Sequence, residues 1–427
     1  MPYIRERLSM KKRLIENIVS LYSLQGLNYI IPMLTFPYLV RTLGVETYGL
    51  MAFAQSFGQY FNIFTDYGFN FTATRSVARS TNDSDVSSIF CTVLVVKFVL
   101  YLVGAVILGI ILQAVPRFHQ HAAFFVVAFV AVLGNILFPV WLFQGLQKMR
   151  YISIVSGISR IASAVMLFGF VHHPQDGLLA LMIVAGGNLL AGSIGMIFAF
   201  RLVRIRWISP SVRDCLVKLR EGWHLFTSSA AISLYTNTNV FLVGLIAGNE
   251  QAGYFSAAEK LIRAMNGLIQ PITQATFPHV SSLVITAPAR ALRFITRNLP
   301  WIALLTFVPS ATMLIFAKPI AVLCFGHVAA ESVSVMRWIA FLPFIIGVSN
   351  VLGLQTMIPF GYDKLFSRIL IISGLINVAL GIPLIRAYQA SGAGMSVLAT
   401  EIFVTLTMTV VLIRKGINIF TWSEAKA

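Results

Sequence analysis

VSSIFCTVLVVKFVLYLVGAVILGIIL, residues 86–112, holds one charged side chain, Lys97, in 27 positions. As an α-helix rising 1.5 Å per residue, the run is about 40 Å long, more than the roughly 30 Å hydrocarbon core of a bilayer. Lys97 lies about 16 Å inside it, near the midplane. A membrane span is the only common setting for such a run, and in lipid its backbone must pair with itself, which makes it a helix.

Similar runs recur in both directions. The expected spans are 17–40, 48–71, 86–112, 122–146, 150–171 and 178–201, then 223–247, 253–282, 298–323, 333–359, 365–386 and 394–414. The 427-residue chain is 57% hydrophobic and 11% charged, whereas soluble proteins are about a quarter charged. The sequence therefore predicts an all-α integral membrane protein of about twelve transmembrane helices. The net charge of +17 does not point to nucleic acid, because the basic residues sit in short loops between apolar runs. With the N-terminus inside, 23 Lys and Arg fall on the cytoplasmic side, and only Arg41, Arg117, Lys318 and Arg386 fall outside. The positive-inside rule then places both termini in the cytoplasm.

Arg201, Arg204, Arg206, Arg213, Lys218 and Arg220 make the central loop the most basic. It separates an N-terminal bundle (1–203), a linker (204–222) and a C-terminal bundle (223–427). Gly44-Val45-Glu46-Thr47-Tyr48-Gly49 recurs as Gly248-Asn249-Glu250-Gln251-Ala252-Gly253, and Gly145-Leu146-Gln147-Lys148-Met149 as Gly353-Leu354-Gln355-Thr356-Met357. The two offsets nearly agree. They predict pseudo-symmetric six-helix halves of like orientation, an arrangement found in transporters with a site between the halves.

Soluble-enzyme motifs are missing: no phosphate-binding glycine loop, no metal-binding His pair and no nucleophile elbow. No metal or cofactor is expected, and His172-His173 reads as a solvated turn. Intramembrane polar residues carry the chemistry instead, since each charge at mid-bilayer costs roughly 2.5–3.5 kcal/mol on insertion scales. Lys97, Arg160, Lys260 and Arg263 outnumber Asp66, Glu259 and Glu401, and that excess suggests an anionic cargo. Glu259 and Arg263 are i,i+4 neighbours that could neutralise each other. Arg337 lies close enough to the end of its span to snorkel. The seventh span is hydroxyl- and amide-rich, with Ser233, Thr236, Asn237 and Asn239. The eighth adds Gln270 and Gln274 around Pro271. These six are candidates for binding sugar. Asp66, Glu259 and Glu401 are candidates for ion coupling. Gly187, Ala191 and Gly195 form a small-residue packing face.

Pro37-Tyr38-Leu39-Val40-Arg41-Thr42-Leu43-Gly44, followed by Tyr48-Gly49, resembles the first-loop signature of polysaccharide-biosynthesis flippases. These are the O-antigen (Wzx-type) flippases, relatives of the MATE exporters. The resemblance continues in Ala252-Gly253-Tyr254-Phe255-Ser256-Ala257-Ala258-Glu259-Lys260, Phe277-Pro278, Gln355-Thr356-Met357-Ile358-Pro359-Phe360-Gly361, Asn377 and Gly392-Ala393-Gly394. It implies a MATE-like fold of two six-helix bundles around a cavity. It also implies a non-enzymatic flippase, in the bacterial inner membrane, for undecaprenyl-diphosphate-linked oligosaccharide such as an O-antigen unit in lipopolysaccharide biosynthesis. Membrane lipids and a polysaccharide polymerase would be its partners. On this reading Lys97, Arg160, Lys260 and Arg263 meet the diphosphate. Alternatives are a MATE-type drug exporter, a peptidoglycan-precursor flippase or an intramembrane glycosyl or acyl transferase.

Overall fold

The computed structural model describes residues 30–80, 82–203, 205–267, 270–326 and 330–417. All regular structure among them is helical. By its contacts the chain divides into two compact units, Tyr38–Gly253 and Tyr254–Ala427 together with Met1–Pro37.

The first unit is built from α2 (Val45–Asp66), α3 (Phe69–Arg79), α4 (Asp83–Ala114), α5 (Pro116–Gln120), α6 (Ala122–Leu137), α7 (Val140–Gly145), α8 (Met149–Phe170), α9 (Gly177–Val203), α10 (Val212–Thr236) and α11 (Thr238–Ile246). The preceding helix, α1 (Ile30–Leu43), covers the later part of the first expected span. Positions 17–29 lie outside the described residues.

Lipid tails are as apolar as leucine, so these helices associate through close packing rather than by escape from water. Glycines at α6–α9 bring two backbones together. A Cβ at Gly134 would lie 2.4 Å from the Asn188 carbonyl carbon, and one at Gly192 would lie 2.6 Å from the Gly134 oxygen. The expected small-residue face is also present. Gly187 meets Ser163 of α8, and Gly195 meets Phe138. Elsewhere the core is aromatic. Phe53, Phe57, Phe118, Phe125 and Phe241 pack with centroids 4.6–5.9 Å apart.

Three expected spans break inside this unit, one of them at Asn237 between α10 and α11. α2 ends on Tyr67 (φ 49°) and Gly68 (φ 77°), consecutive residues in the left-handed region. α6 ends before Pro139, which offers no N–H to continue the ladder. α10 docks on the break at Tyr67–Gly68. A Cβ at Gly222 would lie 2.6 Å from the Tyr67 oxygen, and Phe226 stacks on Tyr67 at 4.7 Å.

α10 starts at a capping box outside the expected span. The Ser211 hydroxyl accepts from the Asp214 N–H at 3.1 Å, and the Asp214 carboxylate accepts from the Ser211 N–H at 3.2 Å. The Ser211 hydroxyl and N–H hold the Asp214 carboxyl below its usual range. A depressed carboxylate adds stability above its unfolded value, about pH 4, and loses it as pH falls through the lower folded value. Amide exchange at residues 212–215, corrected for intrinsic rates, should therefore accelerate below about pH 4. Ser211→Ala should remove that step; an unchanged acid step in the variant would contradict the assignment.

The second unit continues from α12 (Asn249–Gly267) through α13 (Gln270–Thr286), α14 (Pro288–Ile315), α15 (Ala317–Phe325), α16 (Ala330–Ile339), α17 (Leu342–Leu352) and α18 (Asp363–Arg414). α14 contains Pro300 and Pro309, and Gly347 of α17 closes on Thr306 beside them. A π-helical turn, Gly353–Met357, follows α17. The last two expected spans are two helices, together α18, that meet in a reversal at Gln389 (φ 52°, ψ −131°). A Cβ at Gly392 would lie 2.0 Å from the Leu384 oxygen, so the reversal needs glycine there. Asn377 then meets Thr400 across the hairpin at 3.3 Å.

Seven helical stretches among the described residues are each long and apolar enough to cross a bilayer, the 52-residue α18 among them. The protein is an all-helical, multi-pass membrane protein. Other expected spans fall on α1, α2, α10–α11 and α12–α13, which carry polar side chains or are interrupted.

Candidate functional site

In a membrane bundle, irregular backbone survives only where protein or a wet cavity satisfies it. The breaks at Tyr67–Gly68 and at Pro139 border such a cavity. It measures about 300 Å³ and is lined by Gln59, Asn62 and Asp66 of α2, Lys97 of α4, Asn135 of α6 and Ser229 of α10, with Asn70 near its edge. Ile63, Ile136, Phe138 and Val140 supply its apolar lining, and Thr65 and Gly68 also border it.

α2 supplies most of the polar wall because Gln55, Gln59, Asn62 and Asp66 recur at intervals of four, three and four, which places them on one helical face. The three carboxamides form a chain. Asn135 Nδ2 donates to Asn62 Oδ1 at 2.8 Å, and Asn62 Nδ2 donates to Gln59 Oε1 at 3.1 Å. A donor-bearing amide stands at the Gln59 end and an acceptor at the Asn135 end.

Lys97, 4% exposed, occupies the middle of the 32-residue α4. Its ammonium donates to Asp66 at 2.8 Å. Each ion here compensates the other, and the remaining polar wall is neutral.

The structure disperses the other candidates. Arg160 is exposed on α8 and is not part of this wall. Arg263, exposed near the end of the largely buried α12, reaches Glu259 at 3.0 Å, the i,i+4 pair that the spacing suggests, and Lys260 is half-buried on the same helix. Glu401 is buried in α18. Asn237 donates to the buried Ser233 at 3.3 Å, Asn239 is buried, and Gln270 is exposed. The side chains of Thr236 and Gln274 lie outside the described residues. Within the seventh span it is Ser229 that reaches the chamber. Thr238, at the start of α11, accepts from Tyr60 at 2.9 Å, a helix-to-helix bond. His172 and His173 form the expected turn, with both N–H groups donating to Asp176.

Gln59, Asn62 and Asn135 are absent from the sequence-derived candidates. The four–three–four spacing was the available signal, although their neutrality gave it little weight. In the second unit a hollow of about 580 Å³ is lined by Lys318, Ser334, Arg337 and Trp338.

Comparison with known proteins supplies the family. The model of the polysaccharide biosynthesis protein family matches residues 14–284. The chain belongs to this family. A protein of Escherichia coli (strain K12) designated an O-antigen transporter is 37% identical over 399 residues, 93% of this chain and 96% of that one. A Shigella dysenteriae protein of the same designation is 29% identical over 92% of this chain and 98% of its own length. Among solved structures, an inward-facing MATE multidrug transporter of the MOP superfamily aligns at TM-score 0.65 and 13% identity, covering 93% of this chain and all of that one. The lipid II flippase MurJ aligns at 0.66 and 12%, over 92% of this chain and 87% of its own. At these identities the two structures show a shared fold, which is MATE-like. The family members and fold relatives named here are transporters or flippases rather than enzymes.

Proposed function

We propose that this protein is a flippase that carries an undecaprenyl-diphosphate-linked oligosaccharide from the cytoplasmic to the periplasmic leaflet of the bacterial inner membrane by alternating access, with both termini cytoplasmic. The observation that carries the reading is the polar chamber within a helix bundle, in a chain of the polysaccharide biosynthesis family. Such a cargo has three chemistries: a polar glycan that cannot cross hydrocarbon unaided, an anionic diphosphate and an apolar tail. The chamber offers hydrogen bonds to the first. Lys260, half-buried on α12, offers positive charge to the second. The tail stays in lipid.

An inside-negative potential favours outward movement of the anion. Two charges gain roughly 4–5 kcal/mol per 100 mV if no compensating charge moves. Glu401, buried in the second unit, is our candidate for ion coupling.

The test is translocation of a labelled lipid-linked oligosaccharide in vesicles containing the full chain, under an imposed potential, a pH gradient or a sodium gradient. We expect protein-dependent transfer between leaflets that an inside-negative potential accelerates. Transfer equal to protein-free vesicles under every gradient would overturn the reading.

A further inference from the structure

We propose that the chamber framed by Gln59, Asn62, Asn135 and Ser229 is a subsite for one uncharged sugar ring of the cargo, and that it excludes the diphosphate. The inference rests on the flippase reading and divides the cargo between regions of the chain.

Charge is the first argument. The buried ammonium of Lys97 is held at 2.8 Å by Asp66, which also lines the chamber. A diphosphate drawn to Lys97 would meet that carboxylate at close range and be repelled by it. A small cation drawn to Asp66 would meet Lys97 in the same way. The wall as a whole favours an uncharged polar guest.

Hydrogen-bond chemistry is the second. Every sugar hydroxyl both donates and accepts, and so do carboxamide side chains. The chain Asn135–Asn62–Gln59 fixes the amides against one another and presents its ends to the guest. Ser229 adds a hydroxyl from α10. The apolar part of the lining, with Ile136, Phe138 and Val140, suits the C–H face of a pyranose.

Size is the third. About 300 Å³ lies at the small end of ligand pockets, which run from roughly 300 to 1,000 Å³. It accommodates a ring, not a whole repeat unit with its lipid.

The test uses the full chain and two probes: lipid-linked oligosaccharide isolated from the host, and undecaprenyl diphosphate obtained by stripping its sugars. Wild type should bind the glycosylated lipid at least about tenfold more tightly, as expected from a few added hydrogen bonds. The variant N62L/N135L should lose that preference while keeping its affinity for the stripped lipid. In a second arm, N135C in a C215S background is labelled with a water-soluble thiol reagent. The glycosylated lipid should slow labelling and the stripped lipid should not. This arm decides the matter alone should the leucine variant fail to fold. Preference retained in N62L/N135L, or N135C protected equally by both lipids or by neither, overturns the sugar subsite while the flippase reading stands. Wild type that binds neither lipid defeats the flippase reading, and the subsite falls with it.

Discussion

Lys97→Met should cost about 3 kcal/mol of stability, and adding Asp66→Asn should recover most of it. The reason is the asymmetry of buried ion pairs. Intact, the pair gains little over an apolar substitute, because desolvation offsets attraction. Halved, it leaves an uncompensated charge inside the bundle. The Lys97 side chain is 5% exposed and that of Asp66 29%, so the orphaned carboxylate retains some access to the chamber's water and the loss sits at the lower end of the usual 3–5 kcal/mol range. Thermal unfolding of purified protein in detergent measures both variants. The exchange Asp66→Lys with Lys97→Asp should behave like the neutral double. Equal losses in the single and double variants would show that the two ions act independently. Transport by the stable double variant separates scaffold from chemistry: activity retained would mean that neither charge is needed for translocation.

Gly134→Leu should lose at least about 3 kcal/mol and leave little folded protein in the membrane, an overpacking cost at the severe end. Its Cβ would lie 2.4 Å from one backbone atom of Asn188 and 2.5 Å from another. Backbone cannot rotate aside as a side chain can, so α6 and α9 would have to separate, and Asn135 would move with α6 away from Asn62. Gly169→Leu is the control, because a Cβ there meets nothing within 4 Å. Yield and thermal stability of the two variants make the comparison; similar values for both would refute the close approach of α6 and α9.

Helix positions were legible because apolar runs interrupted by short polar loops leave few other ways to satisfy a backbone in lipid. The Glu259–Arg263 bond was legible because i,i+4 spacing is local. The partner of Lys97 was not: Asp66 is 31 positions away, and its register against α4 depends on how two helices pack. The chamber was half-written in the sequence. Pro139 announced one of its breaks, but Tyr67–Gly68 contains no proline. Gln59, Asn62 and Asn135 carry no charge that would mark them in a membrane span, and their value lies in being neutral. The hydroxyl-rich seventh span drew attention instead, yet Thr238 serves Tyr60 and Ser233 serves Asn237. The turn at Gln389 fell where a loop was expected. That it would be tight enough to require Gly392 depends on backbone geometry that residue types alone do not specify.

The Asp66–Lys97 bond also bears on how the chain is made. α2 carries Gln55, Gln59, Asn62 and Asp66, and it is not among the described helices apolar enough to enter a bilayer unaided. Beyond its acidic first turn, α4 is strongly apolar apart from Lys97. The two emerge from the ribosome one after the other, so each brings the counterion that the other lacks. A translocon that delays α2 until α4 arrives would release them to lipid as a neutral hairpin.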